Sequence, residues 1–302
     1  MSTVITHKQF PNHRTYTMDL CGRPLTIDVG KVAELATASA MVSYGETTVL
    51  VAVTAAPRPR DGVDFFPLSV DFEEKLYAVG RIPGSFMRRE GQPSLPAVLA
   101  ARVIDRSIRP LFPYDFRNDV VVTCTVMSVD RDCSPEMTAM IGVSACLAYS
   151  EIPWAGPIGC MEMGYVDGQI VKNPTQEQKH ASKLDLTVAA TDGKVIMIEA
   201  GADQIPDDIM YDAIVQAHEE CRKQVAFING IVAEIGREKM TYDHADFDWE
   251  LFNKIVDATM DEAKAAMDTD DKNIREERWN KLIDRWHELF LEDYPEMDKY
   301  LE

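Results

Sequence analysis

No run of apolar residues in this 302-residue chain approaches the roughly eighteen needed to cross a bilayer as a helix, which excludes a transmembrane helix. The polar opening, residues 1–12, lacks the apolar stretch of a secretory signal, so the expected location is cytoplasmic. Cysteine is scarce: six residues, at 21, 124, 133, 146, 160 and 221, with no CxxC pair and no histidine at zinc-finger spacing. That excludes a zinc module and leaves scattered, reduced, mostly buried thiols. No GxxxxGK[ST] or GxGxxG loop is present to cradle a nucleotide. The six histidines never stand at i, i+4 with a glutamate base, which argues against a zinc hydrolase. Positive charge is also short: 31 Lys and Arg against 50 Asp and Glu, a net charge of −19.

A polyanion partner looks unwelcome on that sum, but the charge is unevenly placed. Residues 1–110 hold 13 basic and 11 acidic side chains, net +2; residues 111–230 hold 8 and 18, net −10; residues 231–302 hold 10 and 21, net −11. Any nucleic-acid face therefore belongs to the first third, and the acidic remainder would confine a polyanion to it.

Strand-like runs dominate the first 75 residues: Thr15–Cys21, Pro24–Gly30, Thr37–Ser43, Glu46–Ala55 and Phe65–Phe72, with turns at Gly22 and Tyr44–Gly45. The segment 47–53 is apolar enough to predict burial on both faces. Periodicity stops from Tyr77 to Pro93, a loop with three glycines and two prolines. Leu95–Ile108 then turns helical. After a strand at Val120–Val129, Ser134 as N-cap, Pro135 at the first helical position and Glu136 in the first turn predict a helix to about Tyr149. Strands follow at Ile158–Val166, Leu184–Ala190 and Lys194–Ala200, the last two joined by Asp192–Gly193. A long helix opens at Pro206 and runs to about Ile235. This order predicts a mixed α+β domain with helices packed on a sheet. Residues 243–302 contain no glycine and one proline, Pro295. Phe247–Met267 and Asn273–Leu291 predict an all-helical second domain, with Trp279, Ile283, Trp286 and Phe290 as its buried stripe. The expected division is 1–238 and 239–302.

One stretch is more specific than any short motif. Gly80-Arg81-Ile82-Pro83-Gly84-Ser85-Phe86-Met87-Arg88-Arg89-Glu90-Gly91-Gln92-Pro93 resembles the loop of the first core of polynucleotide phosphorylases. The segments 102–113, 183–191 and 199–202 resemble the same family further on. The resemblance implies two ribonuclease PH-like cores joined by a helical domain, a ring-shaped homotrimer, and attack of inorganic phosphate on the 3′ end of single-stranded RNA to release nucleoside diphosphates. It implies Mg²⁺ for the parent enzyme, and that this chain stops where a second core begins.

The residues supply the physics. Six arginines (81, 88, 89, 102, 106 and 109) stand against Glu90 and Asp105 in residues 81–109. Planar guanidinium forks suit phosphate, and Phe86 offers a face for base stacking. The resemblance places Phe86, Met87, Arg88 and Arg89 on RNA, with Met87 where many relatives carry a second Phe. Arg102, Arg106 and Arg109 recur at i, i+4, i+7 and read either as a phosphate-facing stripe or as partners of carboxylates from the acidic middle region.

An active core binds phosphate at a serine-rich turn on a helix N-terminus. Here that turn reads Cys133-Ser134-Pro135-Glu136: Ser134 is kept, Pro135 removes an N–H, and Glu136 adds negative charge. The two aspartates of an active core fall on Glu177 and Lys183, and lysine cannot ligate Mg²⁺ as a carboxylate does. Asp185 is close by. The expected role is a non-catalytic, RNA-guiding and ring-forming core. Two other readings stay open: a scaffold without RNA contact, and a residual metal-dependent phosphoryl transfer at Glu136, Glu177 and Asp185.

Overall fold

Strand-forming residues that alternate between buried and half-covered positions make the first part of the chain a sheet. In the computed structural model, which describes residues 2–4, 10–84, 86–242, 244 and 249–291, the chain divides into two units, Met1–Asp243 and His244–Glu302. Residues 5–9 of the polar opening, Ser85, Phe247 and Pro295, all used in the sequence reading, lie outside the described residues.

In the first unit β1 (Ser2–Val4), β2 (Arg14–Leu20), β3 (Arg23–Val29), β4 (Ala38–Tyr44), β5 (Thr47–Ala55), β6 (Leu68–Glu74) and β7 (Val120–Ser128) form one sheet. Its order is β1-β2-β3-β4-β5-β7-β6. Every neighbouring pair is antiparallel except β6 with β7. A parallel pair needs a long crossover. The chain between β6 and β7 supplies it, and contains both the glycine-rich loop and α1 (Leu95–Ile108).

A second sheet, order β11-β10-β8-β9, is built from β8 (Gly159–Val166), β9 (Gln169–Lys172), β10 (Leu184–Ala190) and β11 (Val195–Ala202). Between the sheets runs α2 (Pro135–Tyr149), packed on β4 and β5 on one side and on β8 and α4 (Asp207–Ile235) on the other. Every residue of α2 from Met137 to Tyr149 is buried. Such a helix carries no polar face, and its small residues let the strands approach. A Cβ on Gly142 would lie 2.7 Å from Val42 Cγ2 and 2.9 Å from Val51 Cγ2. Any larger residue there overpacks the layer, typically at about 1–3 kcal/mol.

Burial on β5 corrects one expectation. Thr47, Val49, Val51 and Val53 are buried, but Thr48, Leu50 and Ala52 between them are only half-buried. The helix covers one face of this central strand, and a run of valines reads the same whether the second face is fully or partly covered. The chain segment after α4 stays with the first unit through Tyr242. Lys239 donates to the carbonyls of Leu147, Ala148 and Ser150 at the end of α2, and the Tyr242 hydroxyl donates to Asp115 at 2.9 Å. A cation on the last carbonyls of a helix satisfies groups the helix leaves unbonded.

The second unit contains α5 (Trp249–Met267) and α6 (Lys272–Leu291). Asp271 caps α6, accepting from the amides of Asn273 (2.8 Å) and Ile274 (3.3 Å). Leu282 is the buried residue of α6, while Trp279, Ile283, Trp286 and Phe290 are half-buried around it. Trp279 and Trp286 meet edge to face at 5.8 Å.

Candidate functional site

The glycine-rich loop leaves β6 through a single 3₁₀ turn, Leu76–Val79, which ends at Gly80 with φ of 70°. A left-handed residue there is cheap only for glycine, and it turns the chain outward. The far end of the loop is fixed by Ser94. Its hydroxyl caps α1 by accepting from the Ala97 amide at 3.1 Å and donates to Glu74 at 2.5 Å. Between these ends several large side chains face solvent. Phe86 is fully exposed, at 100%, and Ile82 and Met87 are exposed. Arg81, Arg88 and Arg89 are exposed, and none of the three makes an ion pair among the described residues. An apolar ring held in water beside uncompensated guanidinium groups stabilises nothing in the fold.

The three arginines of α1 do not act alike. Arg102 is exposed and without an ion pair among the described residues. Arg106 is held by Glu199 of β11 at 2.6 Å. Arg109 is engaged within the fold. It grips Asp105 with two bonds (2.7 and 3.0 Å), donates to the carbonyls of Phe66 and Leu68 (both 3.2 Å), and lies over the Phe66 ring. Arg109 keeps helical backbone angles and its N–H bonds the Asp105 carbonyl, so it stays on the same face as Arg102 and Arg106, but its guanidinium is taken up by Asp105 and the two carbonyls.

Arg102 and Arg106 line one wall of a cleft of about 900 Å³ whose other walls are the first turn of α2 and the strands β8, β10 and β11. Ser134 and Glu136 line it. The Ser134 hydroxyl accepts from the Met137 amide at 3.3 Å, so it already works as a helix cap. Burial, then the neighbouring Glu162 charge, push the Glu136 carboxyl up to about 7, and Lys179 offsets part of this. Lys179, on α3 (Gln176–Ala181), is itself held by Glu162 at 2.5 Å. Asp185 and Glu199 add two more carboxylates to the lining.

Glu177 and Lys183 do not line the cleft. Glu177 is exposed in the first turn of α3, and exposed Lys183 uses its amide to bond Tyr165. Glu162, Lys179 and Glu199 are cleft residues that the sequence reading missed as a set. Strand register brings the two glutamates together: Glu162 pairs with Thr187, and Thr187 with Glu199, in one row across β8, β10 and β11. Among the described residues no three His, Cys, Asp or Glu side chains come close enough to hold a metal ion. Of the two expected ligand positions, Lys183 cannot ligate Mg²⁺ as a carboxylate does, and Glu177 is not among the residues lining the cleft.

Two successive models of one family match the chain: 3′ exoribonuclease family domain 1 over residues 22–153 and domain 2 over residues 156–220. The chain belongs to the 3′ exoribonuclease family. It is 50% identical over 285 residues to a polyribonucleotide nucleotidyltransferase of Ruminiclostridium cellulolyticum, a match covering 94% of this chain and 40% of that relative. To the polyribonucleotide nucleotidyltransferase of Clostridioides difficile it is 48% identical over 270 residues, covering 89% of this chain and 38% of that one. This family member thus spans about 40% of the length of the curated relatives it matches, and corresponds to their N-terminal portion. Rice Rrp46 shares the fold at a TM-score of 0.58 and 15% identity, covering 70% of this chain and 95% of that one.

Proposed function

We propose that this chain is the N-terminal part of a phosphorolytic 3′–5′ exoribonuclease, and that its core guides single-stranded RNA and helps form a homotrimeric ring without doing the chemistry. Inorganic phosphate and Mg²⁺ would then act in a second core, with the helical unit as the connection. The observation that carries the guiding role is the loop: Phe86 fully exposed beside Arg81, Arg88 and Arg89, none of them in an ion pair among the described residues. Bases stack on such a ring whatever their identity, and guanidinium groups follow the backbone. The lack of chemistry is supported by the carboxyl groups of Glu136 and Asp185 in the cleft lining, and by Pro135, which leaves the first turn of α2 one N–H short. A cytoplasmic setting fits a chain in which no described helix is long and apolar enough to cross a membrane.

The scaffold reading has one observation in its favour. Arg106 and Arg109 are engaged with carboxylates inside the fold. Those pairs engage two of the α1 arginines and leave the loop arginines unpaired among the described residues. Binding of oligoadenylate to the R88A/R89A double variant separates the readings. The expected result is weaker binding and a salt dependence flatter by about 0.7 log units for each RNA phosphate that is no longer neutralised. An unchanged slope with unchanged affinity would support a scaffold that ignores RNA at this loop.

A further inference from the structure

Glu90 is the only acid from residue 76 to residue 104, a stretch that holds four arginines, at 81, 88, 89 and 102. A free carboxylate beside Arg88 and Arg89 would repel the backbone those residues attract. In the structure it forms an ion pair with neither arginine. Its Oε1 accepts from the backbone N–H of Leu76 at 3.0 Å, across the base of the loop. Leu76 opens the 3₁₀ turn, and Lys75 before it provides no side-chain cap. Lys75 is itself occupied by Glu73 at 2.8 Å. The Leu76 carbonyl in turn accepts from the Arg81 amide at 2.9 Å. One chain of contacts therefore runs from Glu90 through the backbone of Leu76 to the backbone of Arg81.

We infer that Glu90 is the positioning residue of the loop: its carboxylate closes the loop base on the Leu76 amide, so that Phe86, Arg88 and Arg89 are presented together. The inference rests on the reading of this loop as an RNA surface. It gives Glu90 two effects of opposite sign. The clip orders the loop and favours binding, while the negative charge opposes it. A loop ordered before binding loses less conformational freedom when RNA arrives.

Glu90→Gln and Glu90→Ala separate the two effects in the full chain. Glutamine keeps an oxygen that can accept from Leu76 and removes the charge; alanine removes both. Two readouts are taken: amide hydrogen exchange over residues 76–84 without RNA, and affinity for oligoadenylate. For E90A the expected results are faster exchange and binding weaker by about three- to tenfold, the factor that corresponds to one net hydrogen bond. E90Q is expected to exchange like the parent and to bind at least as tightly. Tighter binding by both variants would make Glu90 a mere repulsive charge and overturn the inference. Unchanged exchange in E90A would overturn it as well. If E90A exchanges faster but R88A/R89A binds RNA as the parent does, the clip stands as structure and the RNA reading of the loop is what fails.

Discussion

The loop of residues 81–89 and the cleft at the start of α2 both hold three cations, yet the loop leaves all three without an ion pair among the described residues and the cleft only Arg102. In the loop, Arg81, Arg88 and Arg89 have no ion-pair partner among the described residues. In the cleft, Arg106 is paired with Glu199 and Lys179 with Glu162, and Glu136 and Asp185 add further acid. Counting cations would rate the two regions alike, three in each. What separates them is where the β-sheet places its carboxylates. Strands β8, β10 and β11 bring carboxylates against the helix end, and among the described residues no carboxylate pairs with the loop arginines.

The largest expected effect comes from the arginine that belongs to neither region. Arg109→Ala removes two bonds to Asp105 and two to backbone carbonyls. It should destabilise the first unit by about 2–3 kcal/mol in urea titrations, while Arg102→Ala should leave stability within about 0.5 kcal/mol. Equal effects would mean that α1 carries a uniform stripe after all.

The acid in the cleft gives a pH signature. Glu136 is raised from an ordinary 4.5 to about 7 in the folded protein. Below pH 4.5 both folded and unfolded chains hold this proton, so it costs nothing. Between 4.5 and about 7 the unfolded chain releases it and the folded one keeps it, so this contribution to stability is lost as pH rises, fully so above about 7. Glu136→Gln should therefore match the parent near pH ~4 and exceed it by on the order of 1–3 kcal/mol near pH ~8 in chemical denaturation. A gap that is constant with pH would show that Glu136 is an ordinary exposed acid and that the cleft is less hostile to anions than described.

How much of this was legible beforehand differs between the two regions for the same reason. The cap and proline at Ser134–Pro135, the long helix opening at Pro206 and the Asp192–Gly193 turn between β10 and β11 are local chemistry, and the structure has each of them in place. The loop, too, is local, and its exposed Phe86 follows from glycine and proline interrupting any periodicity. The cleft is not local. Its Glu162–Thr187–Glu199 row requires strand register, and Glu177 and Lys183 sit near Asp185 in sequence but outside the cleft lining. Strand β9 and helix α3 went unread because four and six residues are too short for a period to register. Of the two readings open for the α1 arginines, pairing with carboxylates is what Arg106 and Arg109 show, and that depends on partners the helical spacing does not reveal.

The smallest effect sharpens the contrast most finely. Arg106 and Glu199 are both half-exposed, at 51% and 56%, and such a pair contributes about 0–1 kcal/mol. Glu199→Gln should leave stability nearly unchanged, yet free one guanidinium beside Arg102. RNA binding should then tighten slightly and its salt slope steepen by about 0.7. Asp192→Asn, which frees Arg222 on another surface, controls for the change in net charge. If both substitutions act alike, pairing at the cleft has no special place in RNA exclusion.

The central claim is that this core holds RNA without cleaving it. The direct test is phosphate-dependent release of ADP from poly(A) by the purified chain in the presence of Mg²⁺. The account predicts no release above a no-protein control while oligoadenylate binding remains measurable. Release that depends on phosphate and is lost in a Glu136 or Asp185 variant would contradict it and make the cleft an active site.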